Sequence, residues 1–263
     1  LFERTLRKWK REPVSLRLKS NAKLVQSRPF LVPHFHEETL KKEVKRLVDL
    51  CVLRKNPMAK YLSPSFIIPK KDKTVRFVSD FHKINAMLDR APFPTPKIKD
   101  LLQSLAGFQW VSAIDLNMGY YHIELDLCAQ EICTIVFTWG KYSYNRLPMG
   151  IACALEIFQN EMMTLMEELE HIRVYLDKLL VITKGSFEDH LLKLDEVLEK
   201  LMKAGLKVNL KKSFLACVET DYLGCKITRE GLKPQQKKIE AILALKPPTT
   251  LKLNKSLLGM VQY

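Results

Sequence analysis

HIRVYLDKLLVIT, residues 171–183, sets two charges, Asp177 and Lys178, in the middle of an apolar, β-branched run. The flanking pieces IRVYL and LLVIT, parted by a two-residue break, predict a β-hairpin with Asp-Lys at its turn. Asp-Lys suits the favoured hairpin turns poorly, because they want Gly at the second position, and a turn built against propensity marks function. On its own the stretch reads better as an ordinary polar turn. What decides the reading is FQWVSAIDL, residues 108–116, a second apolar strand that ends on Asp115. Two strand-end aspartates in one sheet can converge on a metal. Carboxylate oxygens suit Mg²⁺, which takes few protein ligands and leaves room for phosphate oxygens.

Working outward, Leu40, Val44, Leu47, Val48 and Cys51 recur at helical spacing and predict an amphipathic helix over 36–53, ended by Asn56-Pro57. Two short β-type runs, 65–68 and 74–80, flank a lysine-rich turn, Pro69-Lys70-Lys71-Asp72-Lys73, which reads as a phosphate grip or as a solvated turn. APFPTPKIKD is an extended connector into a short helix over 97–105, with Gly107 as its C-cap. Residues 131–147 predict a hairpin turning at Trp139-Gly140-Lys141. A helix after Gly150 carries Leu155, Phe158, Met162 and Leu165 on one face. Another helix covers 187–204 and is stopped by Gly205. LKVNLKKSFL and TDYLGCKIT predict one strand each, and 234–246 a last amphipathic helix. Mixed strands and helices in this order imply an α+β fold, an antiparallel sheet with helices on one face.

The 263 residues carry 43 Lys and Arg against 29 Asp and Glu, a net charge of +14 with a pI near 9.4, which suits a polyanionic partner such as nucleic acid. No apolar stretch approaches the roughly 20 residues that span a bilayer, and LFERTLRKWKREP has charges where a secretory signal has an apolar core. The six cysteines (51, 128, 133, 153, 217, 225) show neither CxxC pairs nor zinc spacing, and read as small buried apolar groups in a reducing compartment. His34, His36, Glu37 and Glu38 open a surface helix and read as solvated. There is no Walker-type phosphate loop and no Ser/His/Asp set. The first residue is not Met and the last lie within an amphipathic segment, as expected of a piece of a longer chain.

Six blocks then carry a specific resemblance: SPSFIIPKKDKTVRFVSDFHKINA, PFPTPKIKDLLQSLAGFQWVSAIDLNMGYYHI, YNRLPMGIACALEIFQ, VYLDK, LKVNLKKSF and DYLG. In this order and near this spacing they resemble the reverse transcriptase of gypsy-like long-terminal-repeat retrotransposons, and are similar to retroviral reverse transcriptases. The resemblance implies a right-hand polymerase fold. It places an N-terminal extension at 1–28, fingers at 29–89 and 123–153, palm at 90–122 and 154–230, and the start of a thumb or connection at 231–263. It implies RNA-directed DNA polymerase activity with two Mg²⁺ ions, Mn²⁺ being an alternative. Implied partners are an RNA or DNA template with its primer and deoxynucleoside triphosphates. The implied location is intracellular, in a cytoplasmic virus-like particle or the nucleus.

Residue by residue, the resemblance makes Asp115 and Asp177 the catalytic, metal-binding carboxylates, with the backbone carbonyl of Leu116 beside them. Lys70, Arg76, Tyr120, Met149 and Lys212 fall at nucleotide-binding positions. Tyr120 is the steric gate against a 2′-hydroxyl, and Lys212 the group that protonates pyrophosphate. Asn85, Tyr222, Leu223 and Gly224 fall at primer or template positions. The departures are equally specific. Lys178 stands where the family has a second aspartate, and Cys153, Leu155, Glu156 and His82 replace an asparagine, a proline, a small residue and an arginine. Lys178 predicts weakened metal binding, and a carboxylate at 156 is expected to face nucleic-acid phosphates. The alternative is a catalytically inactive nucleic-acid-binding relic or a co-opted protein.

Overall fold

The computed structural model describes residues 1, 6–69, 75–90, 96–103, 105, 107–244 and 247–262. The lysine-rich turn, including Lys70, and most of the proline connector lie outside them. In chain order come α1 (His34–Asp49), β1 (Leu53–Lys55), β2 (Ser63–Pro69), β3 (Val75–Ser79), α2 (His82–Met87) and α3 (Ile98–Gln103). Next are β4 (Trp110–Asp115), a 3-10 turn (Gly119–His122), α4 (Leu127–Ile132), β5 (Thr134–Phe137), β6 (Gly140–Tyr144) and α5 (Ala154–Met166). The chain continues with β7 (Ile172–Tyr175), β8 (Lys178–Thr183), α6 (Phe187–Ala204), a second 3-10 turn (Leu210–Lys212) and β9 (Phe214–Cys217). It finishes with β10 (Thr220–Tyr222), β11 (Cys225–Thr228), β12 (Gly231–Pro234), α7 (Gln236–Leu243) and α8 (Leu251–Gln262).

The site is carried by a four-stranded antiparallel sheet in the order β7-β8-β4-β9. Strand periodicity of two sorts its side chains. Ile114, Ile172, Val174, Leu179 and Val181 point to the face covered by Phe158 and Met162 of α5 and by Leu194, Val197 and Leu201 of α6. Val111, Ala113 and Leu180 point the other way and pack with Tyr222 and Ile227 of a small β10-β11-β12 sheet. Helices therefore lie on one face, as the sequence implies, and a second sheet covers part of the other. On the helix face His190 is buried, its ring nitrogens bonded to Ser112 Oγ at 2.7 Å and Thr183 Oγ1 at 2.8 Å. α6 runs as predicted: Ser186 accepts from the Asp189 N–H at 3.2 Å, and Gly205 caps the other end at φ 82°.

A five-stranded sheet, β1-β6-β5-β2-β3, lies beside it in the chain, with β2 and β5 parallel and the rest antiparallel. Residues 6–27 drape across the molecule rather than hang from it, and Trp9, Val14, Leu16 and Val25 are buried in the main core.

Several predicted elements change. α1 stops at Asp49 because Cys51 turns the chain at φ 56° and Leu53 then pairs with Tyr144 at the sheet edge. Residues 131–132 still belong to α4, and the β5–β6 hairpin closes between Phe137 and Gly140. Leu155 is half exposed, and the buried stripe of α5 is Ala154, Phe158, Met162 and Met166. LKVNLKKSFL is mostly loop and a 3-10 turn, with its strand starting only at Phe214. TDYLGCKIT is a whole hairpin, because Leu223 and Gly224 take φ of 47° and 81° and fold β11 back on β10. All six cysteines are free thiols; only Cys133 is fully buried, while Cys51 and Cys128 are exposed.

Candidate active site

Asp115 ends β4 and is paired across the ladder with Lys178, the first residue of β8. Tyr175 also pairs with Lys178, so the two turn residues are Leu176 and Asp177 rather than Asp177 and Lys178. The shift matters because it moves Lys178 out of the loop and onto the sheet face that Asp115 occupies. Leu176 takes φ 53°, a conformation that costs a non-glycine residue about 1–3 kcal/mol and that surrounding structure must hold. Gln159 of α5 holds it: fully buried, it accepts from the Leu176 N–H at 2.7 Å and donates to the Val174 carbonyl at 3.2 Å. The Leu116 N–H donates to the Asp177 carbonyl at 2.9 Å, which ties the turn to the end of β4. The sequence reading missed Gln159; its signal is an amide set directly beside Phe158 of the apolar stripe of α5.

The end of β4 is pinned on its other side. Asp115 N–H donates to Ser213 Oγ at 3.0 Å, and the Asn209 N–H donates to the Asp115 carbonyl at 2.8 Å. This brings up the 3-10 turn that ends in Lys212. The Asp115 carboxyl is held above the usual carboxylate range, first by burial and then by the Asp177 charge, against the pull of Lys212 and Lys178. The two carboxylates thus act on each other, and two ammonium groups act on the same spot.

The donor chemistry fits a hard divalent cation at Asp115 and Asp177. Among the described residues no group of three or more His, Cys, Asp or Glu is gathered to hold a metal. A unit charge at about 4 Å is worth roughly 4 kcal/mol at an effective dielectric near 20, so Lys178 opposes even a single cation, less whatever its side chain recovers by bending into solvent.

Tyr120 lies near enough to the turn to feel the Asp177 charge, while its ring packs into the helix-side core. It is buried in the first 3-10 turn, its ring 4.8 Å from that of Phe158, and its hydroxyl is pushed well up by burial and by the Asp177 charge. Gly119 permits the packing, since a Cβ there would lie 2.8 Å from the Phe158 ring. Tyr222 backs the turn: its hydroxyl donates to the Lys178 carbonyl at 3.3 Å, and Leu223-Gly224 form the tip of that hairpin.

The remaining positions divide. Arg76 is exposed on β3 opposite Ile68, and Met149 is exposed beside Gly150. The Asn85 amide is spent on the chain itself, donating to the Gly150 carbonyl at 2.8 Å and accepting from the Ala152 N–H at 2.9 Å, so it fixes the loop that carries Met149. Cys153 caps α5 and is half-buried. Glu156 corrects an expectation: its carboxylate does not stand open toward phosphates but pairs with Arg90 at 2.6 Å, with the side chain 14% exposed. His82 is 95% exposed and reaches back to Asp80 at 2.5 Å.

An antiparallel sheet with aspartates at a strand end and at an adjoining hairpin turn, backed by helices on its far face, defines a nucleic-acid polymerase of the right-hand class. Residues 68–227 match the reverse transcriptase (RNA-dependent DNA polymerase) family, and the chain belongs to that family. It is 35% identical over 77% of its length to the retrovirus-related Pol polyprotein from transposon opus, and 33% identical over 86% to that from transposon 412, both of Drosophila melanogaster. The Drosophila gypsy polyprotein is 29% identical over 84% of the chain. The chain spans 21% of the opus and 19% of the 412 polyprotein, so it is a reverse transcriptase domain of the long-terminal-repeat retrotransposon kind. The fold agrees. The foamy viral protease–reverse transcriptase in complex with double-stranded DNA superimposes with a TM-score of 0.91 at 25% identity, over 99% of this chain and 54% of that one. The same viral protein with an RNA/DNA hybrid gives 0.88 at 25% identity, over 97% of this chain and 34% of that one.

Proposed function

We propose that this domain is the templated DNA-synthesis unit of a retrotransposon polyprotein, attenuated in this copy by Lys178. The observation that carries the reading is the tie between the ends of β4 and the β7–β8 turn, which holds Asp115 and Asp177 as neighbours. Residues 29–89 and 123–153 form the fingers, 90–122 and 154–230 the palm, and 231 onward the start of a thumb. The template is RNA or DNA, and the net charge of +14 favours its phosphates.

Asp115 and Asp177, with the Leu116 carbonyl, would hold Mg²⁺ or Mn²⁺. A divalent cation held there would lower the pKa of the primer 3′-hydroxyl and offset charge on the reacting phosphate. The rest falls to side chains of this chain. Tyr120 lies under the sugar and excludes a 2′-hydroxyl. Lys70 and Arg76 grip the triphosphate, where a guanidinium fork matches phosphate oxygens. Met149 contacts the incoming nucleotide from the loop that Asn85 fixes. Lys212 gives its proton to the leaving pyrophosphate, and Tyr222-Leu223-Gly224 hold the primer strand. The setting is a cytoplasmic virus-like particle or the nucleus; no helix among the described residues is long and apolar enough to cross a membrane.

Single-nucleotide extension of a labelled primer on an RNA template with Mg²⁺ tests the reading, comparing the native chain with Lys178→Asp. Extension by the substituted form alone is the expected result. Duplex binding with no extension by either form would favour the second reading, a nucleic-acid-binding relic, which rests on the ammonium group of Lys178 sharing a sheet face with Asp115.

A further inference from the structure

Trp9 sits between two lysines ahead of α1, yet its side chain is buried. The segment around it is stitched to three elements. The Trp9 N–H donates to the carbonyl of His122, the last residue of the 3-10 turn that carries Tyr120, at 2.9 Å. The Lys10 N–H reaches the Ala204 carbonyl at the end of α6 at 3.4 Å, and Arg11 pairs with Glu161 of α5 at 2.8 Å. The Trp9 ring meets Phe158 edge-on, centroids 6.1 Å apart at 77°, while Phe158 packs on Tyr120 at 4.8 Å. Phe158 is fully buried and lies tight against Gly119. It has no room to shift unless Trp9 or Tyr120 shifts with it, because interiors are close-packed.

We infer that Trp9 is a positioning residue for sugar discrimination: through Phe158 it sets the height of the Tyr120 ring beneath the nucleotide. The inference rests on the reading of Tyr120 as the gate. Truncating the indole lets Phe158 sink toward the space it leaves, Tyr120 follows, and room opens for a 2′-hydroxyl.

The test uses the whole chain in its Lys178→Asp form, bound to a primer–template with a dideoxy end, with Ca²⁺ in place of Mg²⁺ so that binding is read without turnover. The ratio of Kd values for the matched ribonucleotide and deoxynucleotide is measured in four variants. Trp9→Ala should lower the ratio about tenfold, within the cost of a displacement on the order of 1 Å at such a centre. Trp9→Phe should restore it. Leu194→Ala, a buried change on α6, should destabilise the protein and leave the ratio alone. Tyr120→Ala should collapse it. A collapsed ratio in Tyr120→Ala with an unchanged one in Trp9→Ala overturns the inference and leaves the gate standing. An unchanged ratio in Tyr120→Ala overturns the gate and the inference together. Should Trp9→Ala fail to fold, Trp9→Leu is read in its place: a lowered ratio supports the inference and an unchanged one overturns it.

Discussion

The two faces of the four-stranded sheet are built to opposite rules. On the helix face Ile114, Leu179 and Val181 sit in a continuous apolar core, and the polar groups buried there are satisfied: His190 has both ring nitrogens bonded, to Ser112 and Thr183, and Gln159 bonds the turn backbone. At the end of the other face Asp115, Lys178 and Lys212 converge half-buried or exposed, and their charges are only partly balanced within the fold. One face stabilises the sheet; the other puts charge at the sheet end. A charge at the end of the second face can therefore change without disturbing the first.

The sharpest way to break the comparison is Leu179→Ala, on the helix face. It should cost about 3–5 kcal/mol in urea unfolding, since the side chain is wholly buried. A loss below about 1 kcal/mol would mean that the helix face does not carry the stability. Lys178→Asp, one residue away on the opposite face, should change stability little and raise primer extension by about a hundredfold, equivalent to about 2.7 kcal/mol. An unchanged rate would show that residue 178 is not the main lesion. Gln159→Ala joins the two faces, because it frees the strained Leu176 turn from the helix side. We expect a loss of about 1–3 kcal/mol together with weaker metal binding, read by calorimetry in the Lys178→Asp form. Loss of stability with unaltered metal affinity would separate the faces completely.

The smallest effect is one of pH. Burial lowers the His190 pKa from its ordinary value near 6.5, so the folded state holds the ring neutral while the unfolded chain takes up a proton. The contribution is present above pH 6.5 and is lost as pH falls from there toward the lowered folded value. His122, buried between the Arg7 and Asn117 carbonyls, shifts the same way. Unfolding midpoints should fall between pH 7 and pH 5, and His190→Gln should flatten that slope without abolishing it; an unchanged slope would mean that His190 does not titrate with unfolding.

Much of this was legible in the chain. Asp115 and Asp177 stood out because acidic residues interrupt apolar runs, and Gly205 marked the end of α6 by its backbone freedom. What escaped depended on partners distant in sequence. The turn register follows from Tyr175 closing on Lys178, which the runs IRVYL and LLVIT leave one residue ambiguous. Glu156 reads as a misplaced charge until Arg90, 66 residues away, is seen to neutralise it. Trp9 looks like part of a basic tail because Phe158, the ring it packs against, lies more than a hundred residues later. The hairpin in TDYLGCKIT was hidden because Leu223 takes a backbone conformation that sequence rules reserve for glycine or asparagine.

The parallel pairing of β2 with β5 has a consequence for how the molecule is made. The chain lays down β1 to β3 in one sheet, departs to place β4 in the other, returns to add β5 and β6, and departs again for β7 to β9. Neither sheet is a contiguous stretch of polypeptide. As the chain leaves the ribosome the first sheet waits for Tyr144 and the second for Cys217, so each is completed only after the other has begun. No single cut yields one sheet without breaking the other, and a chain that stopped before β9 would leave the sheet that carries Asp115 one strand short.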